Sequence, residues 1–374
     1  MRRILFIVNV DWFFVSHRLP IALALIKSGV EVHLASRFTT HKAYLEGLGI
    51  NTHPIVISRG GISLLEEFRS IYSLYVLVKN VNPDLAHLVT IKPVMYGGLV
   101  ARLLCVRRVV ASISGLGFVF IDQSLKAKVI RKIAICCYRL GLSTKRVTVI
   151  FQNTADRSLF IDKKIVRDSQ AVLIPGSGID LNSFRFTPEP EESPVVMFLA
   201  RFLKDKGIVE FVEASSIVKA VFPSARFVLV GNIDSDNPNS ISSSDLNSWV
   251  KLGLVEDWGY ATNVFSAIRQ SNLMILPSYR EGLPKSLLEA AACGRAVITS
   301  NVPGCRDAIA CGETGLLVNP KNAQMLADAI IQLLQDGPLR KEYGVAGRRL
   351  AEKYFDVNNV VSQHLSIYFE ANKR

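Results

Sequence analysis

Short β-branched runs alternating with longer helical patterns limit what this chain can become more than any other feature. The runs at 3–10 (RILFIVNV), 30–36 (VEVHLAS), 52–58 (THPIVIS), 84–90 (DLAHLVT), 107–114 (RRVVASIS) and 146–153 (RVTVIFQN) are mostly apolar and strand-sized. Helical patterns lie between them, as at 19–29, 64–81 and 125–142. Strands that are apolar on both faces need helices on both faces, so the rhythm is that of βαβ units around a parallel sheet. It breaks at 173–193 (LIPGSGIDLNSFRFTPEPEES), where glycines, prolines and glutamates gather, and starts again at 194–202 (PVVMFLARF). The 374 residues therefore divide into two α/β domains, 1–172 and 173–355, with an amphipathic final stretch at 356–374.

Charge separates the two halves. Residues 1–170 carry 24 Lys and Arg against 10 Asp and Glu, a net +14, while 171–374 carry 20 against 22, a net −2. The basic excess implies an acidic partner for the first half: nucleic acid, anionic lipid or a phosphorylated substrate. No nucleic-acid recognition motif and no interleaving of aromatic and basic residues accompanies it, so nucleic acid ranks last. The most apolar stretches, 94–106 and 129–142, are broken by Arg102 and by Arg131, Lys132 and Arg139, so no membrane-spanning helix is expected. The start, MRRILFIVNVDW, has a short apolar part and no small-residue cleavage site; it reads as a first buried strand rather than a signal peptide. Six cysteines form no C-x-x-C pair, which argues against a zinc site or a disulfide framework and fits a reducing cytoplasm.

Chemistry concentrates in the second half. NLMILPS (272–278) reads as a strand, and the following turn enters a helix with Pro284 suited to its first turn. Glu281 then sits at the strand's carboxyl end and Glu289 within two turns of the helix start, where free N–H groups can also hold anionic groups. Glutamate suits a first helical turn on dipole grounds alone; Tyr279, Arg280, Gly282 and the Ala-rich run into Cys293-Gly294 give this pair its context. Arg201 ends the strand at 194–202, and Lys206 precedes Gly207 and an amphipathic helix. Two cations at a strand-to-helix turn suit a diphosphate, the arginine by its fork and the lysine as a point charge. Asp234-Ser235-Asp236 reads D-x-D, a pattern that can hold a divalent metal. Its polar setting, NIDSDNPNSISSSD, points to turn-forming carboxylates instead, and no metal is expected.

In the first half, 9–18 reads as a loop without G-x-G-x-x-G, which removes the main support for a nicotinamide-dependent enzyme. Its bulky and polar residues, Phe14, Ser16, His17 and Arg18 among them, suit a sugar-bearing acceptor; His17 suits equally a helix entry bonded to backbone. Lys92, beyond a strand end, suits a diphosphate or a solvated surface, and Gly115 and Gly117 allow a tight turn. Lys126, Lys128, Arg131, Lys132 and Arg139 alternate with Val129, Ile130, Ile133 and Leu140 on one helix. Such a helix can rest among anionic lipid headgroups or pack as an ordinary domain helix.

With its surroundings, the Glu281-x7-Glu289 segment resembles the E-x7-E segment of glycosyltransferase family 4, retaining enzymes of GT-B fold. Arg201 and Lys206 resemble the family's pyrophosphate-binding pair, PGSGIDL (175–181) its inter-domain segment, and WGYATNV (258–264) the segment that meets the nucleotide base. HLVTIKPVMYGGLVAR (87–102) and ASISGLGFVF (111–120) look like stretches of members that build polysaccharides on a lipid carrier. The resemblance extends over nearly the whole chain. It implies two Rossmann-like domains facing across a cleft, the first binding acceptor and the second nucleotide sugar, with the last helix crossing back to the first domain. It implies catalytic roles for Glu281, Arg201 and Lys206, and donor contacts from Gly259, Tyr260, Gly282, Leu283, Pro284 and, at the ribose, Glu289. It also implies acceptor contacts from Phe14, Ser16, His17, Arg18, Lys92, Tyr96 and Gly115. Many members place a histidine against the donor sugar where this chain has Ile113-Ser114-Gly115, so that role is not carried over. The implied reaction is retaining transfer of an N-acetylhexosamine-type sugar from a UDP-sugar to a polyprenyl-diphosphate-linked saccharide, in O-antigen or capsule synthesis. It would proceed by front-face attack without metal or other cofactor, on the cytoplasmic face of the cell membrane against anionic lipid. A sugar-nucleotide epimerase of the same architecture is the competing reading.

Overall fold

Strand β1 (Arg3–Val10) lies inside the first sheet, flanked on both sides, because its residues are mostly apolar on both faces and buried between two layers of helices. The computed structural model describes residues 1–56, 64–116, 124–235 and 237–370; Gly117 and Asp236 of the expected motifs, and the Lys126 side chain, lie outside what is described. Contacts divide the chain into two units, Met1–Ser177 with Asn358–Arg374, and Gly178–Val357.

The first unit continues through α1 (Asp11–His17), α2 (Leu19–Lys27), β2 (Glu31–Arg37), α3 (Lys42–Gly47), β3 (Asn51–Pro54) and α4 (Leu64–Val81). Then come β4 (Leu85–Val89), α5 (Ile91–Leu103), β5 (Arg108–Ile113), α6 (Leu125–Leu142), β6 (Val147–Phe151), α7 (Thr154–Asp162) and β7 (Ala171–Leu173). The strands are parallel and lie in the order β3-β2-β1-β4-β5-β6-β7, with Ile4 of β1 level with Val32 on one side and Leu85 on the other. Chain order reverses between β1 and β4. In an open parallel sheet that reversal leaves a crevice at the strands' carboxyl ends, where ligands bind.

The second unit repeats the plan. It runs β8 (Val195–Leu199), α8 (Ile208–Val221), β9 (Arg226–Val230), α9 (Ser243–Lys251), β10 (Glu256–Asp257), α10 (Val264–Ile268), β11 (Leu273–Leu276) and α11 (Lys285–Ala292). It closes with β12 (Ala296–Ser300), β13 (Gly315–Val318), α12 (Ala323–Gln335) and α13 (Gly337–Tyr354). The order β10-β9-β8-β11-β12-β13 reverses between β8 and β11, and β8, β11 and β12 are buried along their whole length. Both sheets are thus Rossmann-like.

The last helix, α14 (Val357–Glu370), packs within the first unit through Val360, His364 and Tyr368. The Tyr368 hydroxyl meets His87 Nδ1 at 2.6 Å, His87 Nε2 meets Ser112 Oγ at 2.7 Å, and Arg108 donates to the carbonyls of Ile367 and Tyr368. Two local expectations are corrected. The stretch 9–18 is not a loop: Asn9 and Val10 finish β1, and Asp11–His17 turns at once into α1. Pro284 is the cap residue before α11, with extended backbone, rather than a member of its first turn.

Candidate functional site

At the reversal point of the second sheet, the carboxyl ends of β8 and β11 lie side by side. After β8 the chain passes Arg201, makes a 3₁₀ turn at Lys204–Lys206 and enters α8 at Gly207. Gly207 has φ +77, and a Cβ there would lie 2.2 Å from the Pro277 carbonyl oxygen, so only glycine lets this turn close against the end of β11. The Tyr279 N–H donates to the Asp205 carbonyl at 2.9 Å, locking the two loops together.

That junction brings the charged groups together. Lys206 pairs with Glu281, which also accepts from the Ser278 hydroxyl at 2.8 Å. Arg201 Nη1 lies 2.6 Å from Asp234 Oδ2. Burial raises the Asp205 carboxyl above its usual range; the charges of Lys206 and Arg201 pull it back and that of Glu281 adds to the rise. Two cations and a carboxylate, Arg201, Lys206 and Glu281, are thus close enough to act on Asp205. The Glu281 backbone is held by its N–H to the Pro303 carbonyl at 3.1 Å, and Gly304, φ +84, sits where a Cβ would be 2.5 Å from the Glu281 carbonyl oxygen. Glu289 points inward from α11 and is 7% exposed. Burial raises its carboxyl above the usual range, against the pull of Lys285 at 3.5 Å. Gly282, Leu283 and Pro284 are buried at the start of α11. Gly259, φ +68, accepts from the Gly231 N–H at 2.9 Å, which ties the 258–260 segment to the end of β9, with Tyr260 exposed beside it. Asp234 of the D-x-D stretch is a partner of Arg201 and takes the Ser240 hydroxyl on its N–H at 3.0 Å, a turn role.

The first unit's expected acceptor residues are scattered. Ser16 and His17 lie on α1, with the imidazole 2.5 Å from Ser16 Oγ and stacked on Phe13 at 4.0 Å between ring centroids. Gly115 makes the expected turn after β5 at φ +108. Four others are engaged within the fold. Phe14 is fully buried against Phe6, because α1 begins at once after β1 and aims that position into the core. Arg18 is buried where α1 meets α2; burial lowers its guanidinium to about 10, against the nearby Tyr368. Lys92, in the first turn of α5, pairs with Glu67 of α4 at 2.5 Å. Tyr96 is buried, and burial together with Glu67 raises its hydroxyl.

Other groups stand at the strand ends of the first crevice, within the stretches 9–18, 87–102 and 111–120 that the sequence singles out. Thr90, after β4, has φ +75, a region β-branched residues avoid. Among the described residues, its hydroxyl, Asn9 Oδ1 after the core of β1 and Ser114 Oγ after β5 are buried without a hydrogen-bond partner. Neutral groups at three neighbouring strand ends therefore keep unused hydrogen-bonding capacity. Asp11 has the opposite fate: burial opposes its charge, but the N–H groups of Thr39 and His41 and the Thr39 hydroxyl outweigh burial and hold its carboxyl below the usual range.

Two Rossmann-like parallel sheets of this kind are the architecture of the GT-B fold. Residues 181–350 match the family model described as "Glycosyl transferases group 1", and 3–153 match "Glycosyl transferase 4-like". Over 364 residues the chain is 30% identical to the N,N'-diacetylbacillosaminyl-diphospho-undecaprenol alpha-1,3-N-acetylgalactosaminyltransferase of Campylobacter jejuni, covering 94% of each. It is 24% identical to the Escherichia coli UDP-Gal:alpha-D-GlcNAc-diphosphoundecaprenol alpha-1,3-galactosyltransferase, over 81% of this chain and 78% of that one. Among solved structures, Anabaena Alr3699/HepE in complex with UDP and glucose superposes with a TM-score of 0.78 at 18% identity, over 98% of this chain and 99% of that one. The chain belongs to glycosyltransferase family 4: it is a retaining glycosyltransferase of GT-B fold.

Proposed function

We propose that this enzyme transfers a sugar, of N-acetylhexosamine type, from a UDP-sugar to a saccharide carried on a polyprenyl diphosphate, at the cytoplasmic face of the cell membrane. The observation that carries the reading is the cluster of Arg201, Lys206, Asp205 and Glu281 at the β8–β11 reversal point. Arg201 and Lys206 are paired to carboxylates there, and a bound diphosphate would take the place of one partner of each cation. Their charges would then stabilise the negative charge that grows on the leaving diphosphate. Glu281, fixed by Ser278 and the Pro303 carbonyl, positions the sugar through its hydroxyls, and Glu289 holds the ribose. Front-face attack by the acceptor hydroxyl, with the leaving phosphate taking its proton, needs no side-chain nucleophile. On the acceptor side, Asn9, Thr90 and Ser114 supply the neutral groups that saccharide hydroxyls engage.

The relatives' names support a lipid-linked acceptor and nucleotide-linked donor. Arg201 and Lys206 supply the positive charge that a metal would otherwise bring, so we propose metal-independent transfer. An epimerase of the same architecture would invert one centre of the UDP-sugar without needing an acceptor. Incubation with a panel of UDP-sugars and polyprenyl-diphosphate-linked acceptors tests the proposal: sugar must appear on the acceptor with its anomeric configuration retained. Epimerised sugar with no acceptor product would favour the alternative.

A further inference from the structure

In the first unit, three neighbouring helices turn apolar side chains to the outside. On α4, Leu65, Phe68, Tyr72 and Val76 recur at helical spacing and are 74%, 71%, 63% and 37% exposed, on the side away from the buried Ser70, Leu74 and Val78. On α6, Leu125, Val129, Ile133 and Leu140 form a second stripe, each more than half exposed, while Ala134, Tyr138 and Leu142 face the core. Between them runs α5, which packs on both and ends at the exposed Leu103. A groove between α4 and α5 is lined only by apolar and aromatic side chains, Tyr75 and Leu99 among them.

Exposed apolar residues on the second unit, such as Val221, Leu252 and Val345, are scattered singly, as is usual for a soluble surface. Stripes on adjoining helices are a patch, and patches of this kind mark interaction surfaces. The charge beside them indicates the partner. Residues 125–142 contain five Lys and Arg and no Asp or Glu, and Lys128, Lys132 and Arg139 are exposed one position from the apolar stripe. A row of cations alongside apolar side chains, with tyrosines at the margin, is the chemistry of an anionic bilayer surface; nucleic acid would have no use for the apolar rows.

We propose that the outer face of α4, α5 and α6 docks on an anionic lipid bilayer, with the apolar rows of α4 and α6 among the acyl chains and Lys128, Lys132 and Arg139 against the headgroups. The surface deepens the membrane location proposed above and rests on that reading. It would hold the first unit at the membrane, where a polyprenyl-linked acceptor is anchored.

The test is sedimentation of the full chain with vesicles of phosphatidylcholine alone or with phosphatidylglycerol, in the absence of donor and acceptor. Binding is expected to the anionic vesicles and to weaken with salt. Phe68→Ser/Tyr72→Ser and Lys128→Gln/Lys132→Gln should each reduce it, the charge change by roughly tenfold, with unchanged circular dichroism and thermal midpoint. Transfer to a short-chain, water-soluble acceptor analogue should stay within about twofold of wild type, since none of the four residues belongs to the site. Equal binding to neutral vesicles, variants that bind as wild type, or binding only when polyprenyl diphosphate is added would each overturn the proposal. Vesicle binding with no transfer from any UDP-sugar would instead overturn the proposed function and leave the docking face standing.

Discussion

The two units share one architecture and use their reversal points differently. At β8–β11 the polar groups are charged and both cations are paired, Arg201 with Asp234 and Lys206 with Glu281, while Asp205 Oδ1 is buried without a hydrogen-bond partner. At β1–β4 the unused hydrogen-bonding capacity is neutral, in Asn9, Thr90 and Ser114, while the charged residues are engaged within the fold, Lys92 by Glu67 and Asp11 by the 39–41 backbone. A crevice of paired charges suits a diphosphate, which exchanges one ionic partner for another. A crevice of unpartnered hydroxyl and amide groups suits a saccharide. Under the proposed function, the same sheet topology would serve two ligand chemistries through what stands at the strand ends.

The comparison breaks most sharply at Glu281. Glu281→Gln should cut transfer on the order of 100-fold, with circular dichroism unchanged, because an amide cannot accept the charge-assisted bonds that position the sugar; a wild-type rate would remove the second crevice from catalysis. Glu289→Gln should weaken donor binding roughly tenfold, read as a rise in KM. Its stability effect has the opposite sign. Burial places the Glu289 carboxyl above its usual range, so its contribution to stability is full below the unfolded value near 4.5 and lost as pH rises through the folded value. The thermal midpoint of Glu289→Gln relative to wild type should therefore rise with pH above 4.5, and a parallel pair of curves would contradict the buried placement.

The two crevices were also unequally readable from sequence. Arg201, Lys206 and Glu281 follow short apolar strands at turns into helices, and charges in such places stand out from their neighbours. In the first half, 9–18 reads as a loop of bulky and polar residues, whereas α1 forms there and Asp11 ties its start to the 39–41 backbone. That tie crosses 28 residues of sequence and has no local signature. Phe14 and Arg18 then face inward, and only the docking of α14, far along the chain, explains what Arg18 lies beside. Thr90 is the clearest case: its positive φ comes from the junction of β4 and α5, not from its type. The alternation of strand and helix did reveal both parallel sheets, because burial on both faces forces apolar runs whatever their partners.

Acid should separate the units further. Burial lowers His364 to about 3 and His87 well below its ordinary value, with the charge of Arg18 adding to both. Their neutral forms support the packing of α14 above the unfolded value of 6.5, and that support is lost as pH falls from there toward the folded values. Among the described residues, Arg18, Tyr368 and Ser112 face these imidazoles and no carboxylate acts on either. Each histidine should cost about 1.4 kcal/mol per pH unit within this window, read as acid-dependent hydrogen exchange in α14; His364→Gln should flatten the dependence, and equal sensitivity in both units would contradict it. The smallest expected effect is that of EDTA. Transfer should continue at an unchanged rate, since Asp234 serves Arg201; loss restored by magnesium or manganese would make the second crevice a metal site.

The central claim is that the β8–β11 crevice holds the donor diphosphate through Arg201 and Lys206. Calorimetric titration of UDP into the wild-type chain and into Arg201→Ala/Lys206→Ala tests it without needing the donor sugar or the acceptor. The account predicts binding to wild type and a loss of at least roughly tenfold in the double variant, with its thermal midpoint retained. UDP binding of equal affinity to both proteins would contradict it.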